Sequence, residues 1–169
     1  EADLLALHER FPARYPVLLE SVSGDEPLGR HDVLFALRGE QLSQLPDGSL
    51  AGDVREAAAG GRFLDALDRW VAREHGAGAL VPSGAVFTDG WFLYLGYELA
   101  DEIEPTLRLP VSRLPRAVAW RMHGALLRDR RTGEVRVVAR DAWTLEQLRE
   151  QVRVDVAAVA SAEKRIPPA

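Results

Sequence analysis

The chain has 169 residues, 47% of them hydrophobic and 28% charged, a balance that suits one globular domain with a single core. It contains no cysteine, which removes disulfides, thiolate nucleophiles and sulfur-ligated metals together. The net charge is -5 and the 21 basic residues are scattered, so the concentrated cationic face that binds nucleic acid is not expected. No apolar run reaches the about 20 residues that cross a bilayer, and no basic-then-apolar leader follows Glu1. The expectation is a cytoplasmic protein with neither a membrane nor a nucleic acid as partner.

In chain order, Leu4, Leu5, Leu7, His8 and Phe11 have helical spacing and run into Pro12, which predicts a short helix. Tyr15–Ser21 (YPVLLES) reads as a buried strand, and Ser23-Gly24-Asp25-Glu26-Pro27 as a turn. Arg30–Leu37 predicts a strand covered on both faces, with His31, Val33, Phe35 and Leu37 opposite Asp32, Leu34 and Ala36. Pro46-Asp47-Gly48 marks a short hairpin within 41–50, and Asp53–Gly61 a small-residue connection.

Phe63, Leu64, Leu67, Trp70 and Val71 predict a helix with Arg62, Asp65, Asp68, Arg69 and Arg73 on its polar side. Gly90–Tyr97 (GWFLYLGY) reads as an aromatic-rich strand. Pro115–Asp129 and Glu134–Arg140 flank Thr132-Gly133 as a hairpin whose tip carries Arg128, Arg130 and Arg131. Leu145, Leu148, Val152, Val156 and Val159 stripe a last helix, with Thr144 and Gln147 spaced as a capping box at its start. Pro167-Pro168 reads as the beginning of a linker, so the expected domain is 1–162 and the linker 163–169. Strands joined by short turns must pair antiparallel. The fold class is therefore α+β, with helices packed on an antiparallel sheet.

The chemistry-bearing residues form no complete constellation. His8, His31, His75 and His123 are far apart, Ser21 and Ser23 lack a nucleophile elbow, and Gly24 and Gly29 lack a phosphate-loop lysine. Asp101, Glu102 and Glu104 could ligate magnesium, but such a run is more often a solvated helix face. Trp91, Phe92, Tyr94 and Tyr97 could stack a ligand ring, but aromatics on a strand are more often core. No catalytic residue and no metal ligand is assigned.

Two longer segments carry more. Tyr15-Pro16-Val17-Leu18-Leu19-Glu20-Ser21 with Gly29-Arg30-His31-Asp32-Val33-Leu34 is the first. Gly90-Trp91-Phe92-Leu93-Tyr94-Leu95-Gly96-Tyr97-Glu98-Leu99, with Ile103-Glu104-Pro105 and Leu109-Pro110, is the second. In this order they resemble the N-terminal domain of component I of the chorismate-utilising synthases, the aminodeoxychorismate and anthranilate synthases. The resemblance covers nearly the whole chain. Arg30-His31-Asp32 and Gly96-Tyr97-Glu98-Leu99 look more like the aminodeoxychorismate (folate) branch. Leu18-Leu19-Glu20-Ser21 is equally reminiscent of the anthranilate (tryptophan) branch.

The resemblance implies a non-catalytic N-terminal domain. Its partners would be its own C-terminal chorismate-binding domain and a glutamine amidotransferase subunit, component II. Magnesium and the conversion of chorismate to 4-amino-4-deoxychorismate would belong to the C-terminal domain. The resemblance also implies an L-tryptophan pocket at Ser21, Leu28, Gly29, Arg30 and His31. Tryptophan-holding relatives carry Tyr-Ser-Arg-Phe-Asp where this chain has Leu28-Gly29-Arg30-His31-Asp32, so two aromatic walls are missing. A packed junction with Glu20 and Arg30 merely hydrogen-bonded is the structural alternative, and a free-standing small-molecule binding module the functional one.

Overall fold

The computed structural model describes residues 2–21, 29–75, 87, 89–110 and 113–163. The elements are α1 (Leu4–Arg10), β1 (Val17–Leu19), β2 (His31–Gln44), β3 (Leu50–Gly52), α2 (Arg55–Ala58), α3 (Phe63–His75), β4 (Gly90–Leu95), a 3₁₀ turn (Tyr97–Glu102), β5 (Ala117–Asp129), β6 (Val135–Ala139) and α4 (Ala142–Glu163). The strands form a six-stranded sheet in the order β1-β2-β5-β4, with β3 paired to β2 and β6 to β5. The β1–β2, β2–β3 and β5–β6 pairings are antiparallel, so the α+β expectation holds.

Two compact units divide the chain. Unit 1 is Glu1–Arg38, Ala85–Gly90 and Met122–Ala169; unit 2 is Gly39–Gly84 and Trp91–Arg121. In unit 1, Leu4 and Leu7 of α1 and Leu148 and Val152 of α4 pack with Tyr15, Leu34, Ala36 and Leu126. The helical spacing of the first four puts an apolar stripe of each helix inward, and removal of that surface from water drives the packing. In unit 2, Phe63, Ala66 and Trp70 of α3 pack with Leu42, Val54, Leu99, Ala117 and Ala119. Trp70 meets Trp91 edge-on at 5.8 Å, a geometry worth about 1 kcal/mol beyond the buried area.

Several expectations need correction. The strand predicted at Tyr15–Ser21 shrinks to three residues of β1, at an end of the strand order, where Leu19 is exposed rather than buried. The strand predicted over Arg30–Leu37 continues to Gln44 and merges with the first arm of the predicted hairpin. Phe35 is buried on an edge-on contact with Phe87, but His31 and Val33 are only half-buried, so the second face is partly covered. The connection after Asp53 contains the short helix α2, which four residues cannot announce by periodicity.

β4 stops at Leu95, and Gly96, itself still extended, leads into the 3₁₀ turn. The Gly96 N–H donates to the Arg116 carbonyl at 2.8 Å, and a Cβ there would stand 2.8 Å from that same oxygen. α4 starts at Ala142, two residues before Thr144. Its cap is Asp141, whose Oδ1 accepts the Thr144 N–H at 2.7 Å, so Gln147 has no capping role.

Candidate functional site

The residues singled out for tryptophan lie in unit 1, at the entry to β2. Asp32 alternates with Leu34 and Ala36 onto the core side of the strand and is 1% exposed. A carboxylate buried this far needs a partner. Arg128, on β5, supplies it: Nε and Nη2 both donate to Asp32 Oδ2, at 2.8 and 2.6 Å. Oδ1 of Asp32 accepts the Ser21 N–H at 3.2 Å. Arg128 Nη2 also reaches Glu20 Oε1 at 3.3 Å. These contacts, the Asp32 hydrogen bonds first, hold the Arg128 guanidinium above its already high range.

The next residues of β5 and its turn extend the junction. Asp129 Oδ2 accepts Arg30 Nε at 3.0 Å and Nη2 at 2.6 Å. Its Oδ1 accepts the Arg131 and Thr132 N–H groups at 2.9 and 3.4 Å. The Arg30 hydrogen bonds are the main reason the Asp129 carboxyl is lowered to about 2. Arg130 donates its backbone N–H to the Arg30 carbonyl at 2.9 Å and its guanidinium to the Ser21 carbonyl.

Ser21 and Arg30 are thus brought together by Asp129 and Arg130, and buried Gly29 and half-buried His31 flank Arg30 in the chain. Leu28 lies outside the described residues. Both backbone groups of Ser21 and the guanidinium of Arg30 are engaged within the protein. The contacts of Glu20 and Arg30 are those of the packed junction. Sequence reasoning missed Asp32 and Arg128 as its centre. The signal was available: a carboxylate on the Leu34–Ala36 face of a covered strand requires a cation opposite.

In unit 2 the acidic run is a solvated face only in part: Glu104 is exposed and Asp101 half-buried. Glu102 is buried, and its Oε1 accepts the Phe63 N–H at 2.8 Å and the Gln44 Nε2 at 2.7 Å. Oε2 accepts the Leu64 N–H at 3.1 Å, so this carboxylate caps α3. Asp101 pairs with Arg116, and Glu104 accepts the Thr106 hydroxyl at 2.7 Å, which holds its carboxyl below the usual range.

The aromatic group divides. Trp91 packs on Trp70 and under Arg121, whose guanidinium sits 4.3 Å from the ring, and Phe92 packs on Trp120 at 5.7 Å. Tyr97 is 79% exposed. His8 Nδ1 lies 2.7 Å from the Tyr15 carbonyl and His123 Nδ1 3.4 Å from Arg140, hydrogen-bonded positions far from each other in sequence. Among the described residues no group of three or more carboxylates and histidines is placed to hold a metal, and no helix is long and apolar enough to cross a membrane.

No family model matches the chain, and no curated protein does. Among solved structures it is similar to anthranilate synthase component I from Streptococcus pneumoniae TIGR4, at 18% identity and a TM-score of 0.51. The match covers 88% of this chain and 32% of that one, so the chain spans about a third of its neighbour's length. At this identity the likeness is one of fold.

Proposed function

We propose that residues 1–162 are the non-catalytic N-terminal domain of a chorismate-aminating synthase, with 163–169 leading toward a C-terminal chorismate-binding domain. The observation that carries this reading is the extent of the fold likeness: nearly all of this chain answers to about a third of a component I structure. The exposed surface of unit 2 supports it. Leu93, Leu95, Tyr97, Ile103, Leu107 and Leu114, all within 93–114, are exposed, and apolar surface of this kind is what a missing body covers. In this reading magnesium and chorismate belong to the C-terminal domain, and ammonia comes from a glutamine amidotransferase subunit. The residues that the resemblance assigns to L-tryptophan, Ser21, Leu28, Gly29, Arg30 and His31, keep that role in this reading, completed by groups from that second domain.

Arg30-His31-Asp32 and Gly96-Tyr97-Glu98-Leu99 favour the aminodeoxychorismate, or folate, branch. Leu18-Leu19-Glu20-Ser21 and the solved neighbour's identity favour anthranilate synthase as the second reading. One assay separates them. The protein that joins this chain to its C-terminal region is incubated with chorismate, magnesium and ammonium, and products are resolved chromatographically. The expected product is 4-amino-4-deoxychorismate. Anthranilate would move the chain to the tryptophan branch, and no turnover would overturn the proposal. Roughly micromolar binding of tryptophan by the 169-residue chain alone would favour a free-standing binding module.

A further inference from the structure

We draw no further inference here: the strongest candidate, the exposed apolar surface of unit 2 along Leu93, Leu95, Tyr97 and Ile103, belongs to the face already given to the proposed second domain, and nothing in the structure shows what else covers it.

Discussion

Buried carboxylates are held in two ways, and Glu56 of unit 2, paired with Arg73, shares the arrangement of unit 1. In unit 1, Asp32 and Asp155 each face an arginine, Arg128 and Arg14, so charge meets charge. The buried Glu102 of unit 2 meets no guanidinium among the described residues, but two backbone N–H groups at the start of α3 and the Gln44 amide. An arginine partner keeps part of its length in water, where salt screens it. A helix terminus is fixed backbone and stays in place with the fold. The first arrangement should respond to ionic strength and the second should not.

The largest expected loss is at Glu102. Glu102→Ala takes the carboxylate acceptor from the Phe63 and Leu64 N–H groups and the Gln44 amide, and should cost about 3 kcal/mol by urea denaturation. Glu102→Gln keeps one acceptor oxygen and should cost less, and neither loss should change between low and high salt. A loss under about 1 kcal/mol would mean that water replaces the cap. Asp32→Asn comes next, at about 2 kcal/mol. Removal of one partner from a fully buried pair costs about 3–5 kcal/mol, but the Arg128 side chain is 31% exposed and partly screened. High salt should narrow this difference, and a salt-independent loss would remove the contrast between the two arrangements.

Much of this was readable from residue order alone. α1, α3, the β2–β3 turn and the β5–β6 hairpin stand where apolar spacing and Gly or Pro signals placed them, because those signals act within a few residues. What escaped is non-local. Arg62 precedes α3, with no serine, threonine, aspartate or asparagine to cap it, and the cap arrives from Glu102, 39 residues along the chain from Phe63. The pairing of Arg128 with Asp32 spans 96 residues, so the arginines of the hairpin tip look like surface charge until the fold closes. The left-handed backbone of Leu37, at a φ of +56°, has no local marker either, since leucine is the last residue a turn signal would name.

A smaller effect concerns the exposed end of the junction. Asp129 titrates at about 2 because Arg30 hydrogen-bonds its charged form, whereas an unfolded aspartate titrates near about 3.9. The folded value is the lower one, so the pair stabilises fully above about pH 4 and loses its contribution as the pH falls through about 2. The stability gap between the parent and Asp129→Asn should therefore be present at neutral pH and close over that interval. A gap that persists in acid would assign the role of Asp129 to something other than its charge.

The smallest expected effect decides how α4 begins. The Asp141 carboxylate accepts the Thr144 N–H, and chiefly that bond holds its carboxyl below the usual range. The Leu145 N–H donates to the Asp141 carbonyl, which closes the first helical turn. Asp141→Ala removes the side-chain acceptor and should lower Tm by about 3 °C, with Asp141→Asn nearly harmless because asparagine caps as well. Gln147 is exposed and would matter only if Thr144 were the cap, as the residue spacing implied. Gln147→Ala should accordingly leave Tm unchanged. If Gln147→Ala proves the more damaging of the two, the helix starts in solution at Thr144, and the first turn of α4 is frayed.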